Sequence, residues 1–361
     1  MNMIDLINNY RDFIKATASP LEALAGAPVG TTPSRVVYSE NKMRLLHYIP
    51  TTGKQHPVPV FVVYALVNRY YIMDLQPDKS VVKRLLDEGF DTYIVDWGYP
   101  SGDDRHITLD RYVNGYLNNA VDKIRELSGA DKVTLLGVCQ GGDFSIMYAA
   151  LHPEKVKNLI TLNTPVDFDT DKSLLNIWSK NMDVDRIVDH YGVVPGELLN
   201  AGYSFVDPLR HMIDVYSGVY DRIECVPDDI KCKGMDDEGI KTLFRIMKWL
   251  SDNPGQAGEA YRQFIKDLYR RNLLIRNELE LDGKRVDLRN IAVPLLNIMA
   301  RYDNFIPNES SIPLNDAVSS RDKTMVIFPT GHIGVFVSSI SQRDICPMIA
   351  GWLKPRSSQD K

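Results

Sequence analysis

The apolar run Val133-Thr-Leu-Leu-Gly-Val138 stops at Cys139, and the chain resumes as Gln140-Gly-Gly-Asp-Phe144, the start of a helix-forming stretch. A cysteine set between Gly137 and Gly141, where a strand turns into a helix, is the G-x-S-x-G nucleophile elbow with a thiol in place of the hydroxyl. The pattern constrains the fold strongly, because the turn is sharp and the flanking glycines leave room for backbones to pass close by. It also predicts chemistry: Cys139 would stand at the positive end of a helix starting near Gly141, a field that favours the thiolate. The plainer possibility is a small buried cysteine, the usual state of a free thiol.

The surrounding text predicts an α/β architecture. Arg35 to Ser39 and Lys42 to Tyr48 read as a hairpin across Glu40-Asn41, and Val58 to Tyr64 as a buried strand. Helix over Ser80 to Glu88, strand over Thr92 to Asp96 and a long helix over Leu109 to Leu127 lead to the strand entering the elbow. Gly141 to Leu151 is the helix leaving it and Val156 to Leu162 the next strand. Alternation at this spacing predicts a mostly parallel sheet with helices on both faces. It stops after Asn163-Thr-Pro165. Residues 167–289 read as an inserted helical cap rich in Met, Tyr, Trp and charge, with runs at Ile240 to Leu250 and Ala257 to Leu274. Strands return at Leu295 to Ala300 and Met325 to Phe328, and Ile340 to Leu353 closes the chain as a helix. The core thus covers 34–166 and 290–361. Residues 1–33 form an N-terminal helical arm, in which Met3, Leu6, Ile7, Tyr10, Phe13 and Ile14 recur at helical spacing before Ser19-Pro20. Its apolar face packs on its own domain or on another subunit.

Composition narrows the function classes. With 361 residues, 44% hydrophobic and 25% charged, the chain has material for one large core. A net charge of -5 argues against nucleic acid as a partner. No apolar run approaches the roughly 20 residues that span a bilayer, so no integral membrane segment is expected. The start of the chain lacks the pattern of a signal peptide and its four cysteines (139, 225, 232 and 346) show no tight pairing, which predicts a cytoplasmic protein. Cys225 and Cys232 have no nearby histidine pair, so no metal site is expected.

A nucleophile elbow calls for an acid and then a histidine on the loops after the last strands, in that order. Leu295 to Ala300 runs into Arg301-Tyr-Asp303-Asn304, and Met325 to Phe328 runs into Pro329-Thr-Gly-His332. Loops at the carboxyl ends of parallel strands are where such sheets place their sites. His332 would take the proton of Cys139 or of an incoming hydroxyl, and Asp303 would fix its tautomer. Asp96, at another strand end, competes with Asp303, which chain order favours. Oxyanion donors are expected from the backbone N–H of Gln140 and from the loop Ala65-Leu-Val-Asn-Arg69, with Val67 as the candidate. Aromatic residues of the cap, Trp178, Tyr191, Tyr203, Tyr216 and Tyr220, would either line a covered apolar route to the thiol or serve packing.

Together with their surroundings these residues resemble the polyhydroxyalkanoate synthases, of the α/β-hydrolase superfamily, and in particular the short catalytic subunits of the two-component class III and class IV enzymes. The resemblance runs over roughly residues 34 to 354. It rests on Val63-Tyr-Ala-Leu-Val-Asn-Arg69 with Asp74-Leu-Gln-Pro77, Asp96-Trp-Gly-Tyr-Pro100, Thr108-Leu-Asp-Arg-Tyr-Val-Asn-Gly115, the elbow, and Gly331-His-Ile-Gly-Val-Phe-Val-Ser338. Two positions depart from the pattern: Tyr70 stands where two-component members often have proline, and Asn304 where a histidine commonly follows the aspartate. The resemblance implies that Cys139 carries the acyl chain, with His332 and Asp303 completing a triad. It implies polymerisation of (R)-3-hydroxyacyl-CoA, short-chain 3-hydroxybutyryl-CoA in particular, with release of CoA. Coenzyme A is there a substrate moiety, and no cofactor is implied. It further implies a second subunit of PhaE-type or PhaR-type, a homodimer, and association with polymer granules. No glycine-rich phosphate loop is visible, and no Lys or Arg is singled out for the CoA phosphates. The rivals are a cysteine thioesterase, a dienelactone-type hydrolase, and a noncatalytic binding protein of the same fold. The last of these would be expected to have lost a triad member.

Overall fold

The computed structural model describes residues 28–206, 224–226, 229–233 and 237–358. Most of the expected N-terminal arm, residues 1–27, lies outside them, as do Tyr216 and Tyr220. Eight strands form one sheet: β1 Ser34–Glu40, β2 Met43–Tyr48, β3 Val60–Val63, β4 Thr92–Asp96, β5 Val133–Val138, β6 Val156–Leu162, β7 Leu295–Ala300 and β8 Lys323–Phe328. Their spatial order is β1-β2-β4-β3-β5-β6-β7-β8. β1 and β2 form the expected antiparallel hairpin, turned by Asn41 at φ 51°. β2 is antiparallel to β4, and every later pairing is parallel.

The central strands β3, β4, β5 and β7 are buried at every residue, which is why they read as continuous apolar runs. Successive side chains point to opposite faces: Phe61, Val63, Val133 and Leu135 enter one apolar cluster, and Val60, Val62, Leu136 and Val138 the other. The α-helices of six or more residues among the described residues are α1 Val81–Asp87, α2 Asn118–Ser128, α3 Gln140–Leu151, α4 Leu174–Asn181, α5 Val184–Tyr191, α6 Gly196–Val206, α7 Asp237–Ser251, α8 Gly258–Gln263 and α9 Cys346–Leu353. α2 and α3 cover the first face, and α1 and α9 the second.

Several boundaries differ from the sequence reading for identifiable reasons. The strand expected over Val58 to Tyr64 keeps only Val60–Val63, since Pro57 and Pro59 have no N–H to give a ladder. The long helix over Leu109 to Leu127 winds as a π-helix over Arg111–Leu117 before becoming α2. A π-helical turn over Ser341–Ile345 likewise precedes α9. The last sheet strand begins two residues early, at Lys323.

Between β6 and β7 the described elements are α4 to α8, a π-helical turn Phe264–Arg270 and short strand pairs. The later part of this insertion does not stand apart. Phe264, Leu268, Tyr269, Leu274 and Leu288 belong to the same apolar cluster as α2 and α3.

Candidate active site

β5 delivers Cys139 to a turn held at φ 51° and ψ -123°, a region that side chains other than glycine rarely adopt. Its N–H donates to Leu162 O at 2.9 Å, while its own carbonyl accepts from Gly142 N–H at 2.8 Å and starts α3. The neighbouring glycines are required by contact: a Cβ on Gly141 would collide with the Val63 carbonyl oxygen, and one on Gly142 with the Thr164 hydroxyl. The sequence pattern at the elbow is therefore a packing requirement between α3, β3 and the end of β6.

β7 and β8 end side by side and carry the other two groups. Arg301 N–H donates to Phe328 O at 2.8 Å and Tyr302 N–H to Thr330 O at 3.0 Å, extending the parallel ladder into the two loops. Asp303, its side chain 1% exposed, accepts at Oδ1 from the N–H groups of Phe305 and Ile306, both at 2.9 Å. Its Oδ2 accepts from His332 Nδ1 at 2.6 Å, which leaves Nε2 turned away from Asp303, and the Cys139 side chain lies near enough to act on the charge of the ring. Burial alone would lower the His332 pKa. It is outweighed by the charge of Asp303, the hydrogen bond to it and the influence of nearby Cys139, so the imidazolium persists well above its usual range.

Asp96, the competing acid, is occupied elsewhere. It accepts from Arg44 Nη2 at 2.6 Å and pairs with Arg69 Nη2 at 3.0 Å. The structure brings Cys139, His332 and Asp303 together and leaves Asp96 out.

The loop after β3 lies against the start of α3. Gln140 is the first residue of the helix, so its N–H has no intrahelical acceptor, and its side-chain Oε1 accepts from Leu66 N–H at 3.1 Å. Asn68 N–H donates to Asn253 Oδ1 at 2.9 Å. With those two N–H groups engaged, Ala65 and Val67 carry loop N–H groups that have no acceptor among the described residues. Val67 packs half-buried on the same apolar cluster as Cys139.

Of the aromatic residues expected near the thiol, Tyr203 is at the site. It packs edge-on against Phe305 at 6.2 Å, and Phe305 lies 5.6 Å from the His332 ring. Tyr191 is exposed and Trp178 half-buried. Phe168, Phe264 and Tyr269 instead form a buried aromatic group in the cluster shared with α2 and α3, with Phe168 and Tyr269 ring centres 4.8 Å apart, and of the three Tyr269 lies near enough to Cys139 for their charges to interact. Burial, then the charges of Tyr203 and Cys139, hold the Tyr269 hydroxyl far above its usual range.

Sequence reasoning missed Asn163. It sits at φ 46° at the end of β6, its Nδ2 donates to His332 O at 2.9 Å, and its Oδ1 accepts from Ala300 N–H at 2.8 Å. One buried amide thus ties the strand behind Asp303 to the loop carrying His332. The only sequence signal was an asparagine at the strand end, just where the alternation ceased.

Sheet order, elbow and the facing acid and histidine define the α/β-hydrolase fold. A family model for that fold matches residues 59–339. Solved structures agree at the level of fold: a putative lipase from Sulfolobus solfataricus (TM-score 0.55, 14% identity, 90% of this chain and 99% of that one) and a monoacylglycerol lipase from Paleococcus ferrophilus (0.52, 16%, 88% and 100%). A model for the N-terminus of poly-beta-hydroxybutyrate polymerase (PhaC) matches residues 1–85, reaching back past the residues that carried the resemblance. The poly(3-hydroxyalkanoate) polymerase subunit PhaC of Allochromatium vinosum is 44% identical over 97% of each chain, and that of Synechocystis sp. 43% over 96% of this chain and 92% of the other. The chain belongs to the PhaC family of poly(3-hydroxyalkanoate) polymerase subunits. No helix among the described residues is long and apolar enough to cross a membrane.

Proposed function

We propose that this chain polymerises (R)-3-hydroxyacyl groups, 3-hydroxybutyryl in particular, from their CoA thioesters through an acyl thioester on Cys139. The observation that carries the reading is the thiol on a strained elbow, near a histidine that is itself bound to a buried aspartate. The Cys139 thiolate attacks the acyl carbon, the C–S bond to CoA breaks, and the leaving thiolate takes the proton from the His332 imidazolium. His332, held by Asp303, then removes the proton from a 3-hydroxyl whose oxygen attacks the enzyme thioester. The ester forms and the Cys139 thiolate leaves. Gln140 N–H and a loop N–H, with Val67 as the candidate, hold the oxyanion in both steps. Thioester-to-thioester exchange keeps the transfer potential, and ester formation then runs downhill.

Water would divert the acyl enzyme to a free acid, so the buried Tyr269 near the thiol supports polymerisation over hydrolysis by restricting water there. The reading extends to a cytoplasmic enzyme held at granule surfaces by its own insoluble product, working as a homodimer with a PhaE-type or PhaR-type subunit.

The test is CoA release and turbidity from 3-hydroxybutyryl-CoA for the wild type and Cys139→Ala, each with and without a candidate second subunit. Polymer from the wild type and none from Cys139→Ala is expected. Polymer from Cys139→Ala overturns the reading, and free 3-hydroxybutyrate without polymer from the wild type makes the chain a thioesterase.

A further inference from the structure

The other deeply buried carboxylates near the sheet ends have donors. Asp74 accepts from Thr32 and Ser80, Asp96 from Arg44, Arg69 and Gly98, and Asp303 from Phe305, Ile306 and His332. Asp143 is different: it is 0% exposed, and neither side-chain oxygen has a partner among the described residues. It lies one turn into α3 from the nucleophile, and its N–H donates to Cys139 O at 3.3 Å. Its carboxyl is near enough to the thiol and to Tyr269 of the insertion for their charges to act on one another. Asp143 therefore lies one helical turn from Cys139 with two unmet hydrogen-bonding atoms.

We propose that Asp143 receives the 3-hydroxyl of the acyl group loaded on Cys139 and so selects hydroxyacyl over plain acyl thioesters. The inference rests on the proposed loading of Cys139. An acyl thioester carries its hydroxyl on the third carbon from the sulfur, a reach similar to the roughly 5 Å rise of one helical turn that separates the two residues. Burial, then the charge of Cys139, holds the carboxyl well above the usual carboxylate range. That shift favours the acid form, which carries one O–H donor and a carbonyl acceptor. A substrate hydroxyl satisfies both at once by donating to the carbonyl and accepting from the O–H. A methylene in the same place satisfies neither and leaves the buried group unpaired, the situation in which a site rejects an analogue lacking its hydroxyl.

Single-turnover acylation of Cys139, read by intact mass and CoA release, compares 3-hydroxybutyryl-CoA with butyryl-CoA. Wild type is expected to favour the hydroxyacyl substrate, and Asp143→Val and Asp143→Ala to lower that preference by about tenfold or more. Asp143→Asn, which keeps a donor and an acceptor, retains most of it. Both apolar variants remove an unmet buried polar group and should melt no lower than wild type. The ratio is read in whichever of them folds. An unchanged ratio in the apolar variant, or equal loading of both substrates by wild type, overturns this inference and leaves the polymerase reading standing. Absence of any acyl adduct on wild-type Cys139 overturns both.

Discussion

Cys139 holds a backbone conformation, φ 51° and ψ -123°, that costs a residue other than glycine roughly 1–3 kcal/mol. The strain is offset by the helix, the glycine contacts and the hydrogen bond to Leu162 around it. The charge state of the histidine is set at the same scale. Burial disfavours the His332 imidazolium and Asp303 more than restores it. Asp303→Asn removes the largest restoring charge and keeps the burial, so the ring should lose its proton at a lower pH than in the wild type. Titration of the His332 ring by NMR checks this, and a midpoint that stays high in the variant would mean that Asp303 is not the source of the shift.

At the scale of elements, the loop after β3 is clamped by the end of α7. Asn68 Nδ2 donates to the carbonyls of Trp249 and Leu250 at 3.0 and 3.2 Å, and Trp249 Nε1 donates to Arg69 O at 2.7 Å. Tyr71 and Tyr99 both donate to Asp252, at 2.9 and 2.5 Å. The insertion thus holds the backbone that faces Cys139. Asn68→Ala combined with Trp249→Phe should slow CoA release by about tenfold or more, equivalent to a loss of roughly 1–2 kcal/mol of positioning hydrogen bonds. Faster amide exchange over residues 64–69 should accompany it. Slower turnover with unchanged exchange would show that the clamp does not set the loop.

The whole molecule rests on a sheet with one apolar cluster on each face. Phe61 is 0% exposed in the face shared with α2 and α3. Phe61→Ala should cost about 3–5 kcal/mol, seen as a lower denaturant midpoint with unchanged slope. A loss below 1 kcal/mol would mean that the face repacks around the gap. The same face takes in Phe264, Leu268 and Tyr269 of the insertion, so the variant also tests whether that segment melts with the sheet.

The sequence by itself determined the α/β alternation, the elbow and the order in which Cys139, Asp303 and His332 follow the strands that carry them. Each of these is written in local pattern: apolar runs buried on both faces, glycines where backbones touch, and polar residues at strand ends. The hairpin across Glu40-Asn41 was legible for the same reason. Tertiary structure alone decided between Asp303 and Asp96, because both end strands and only three-dimensional distance shows that Arg44 and Arg69 occupy the latter. It also decided the partners of Asn163 and Asn68, which lie far along the chain, and left the Asp143 carboxyl without a partner among the described residues. Among the aromatic residues it put Tyr203 near His332 and exposed Tyr191, since helical spacing in the insertion says which residues share a face but not which face meets the site. Local pattern fixes an element and its buried side. The pairing of side chains from distant elements depends on how those elements pack, and a linear sequence carries no distance between them.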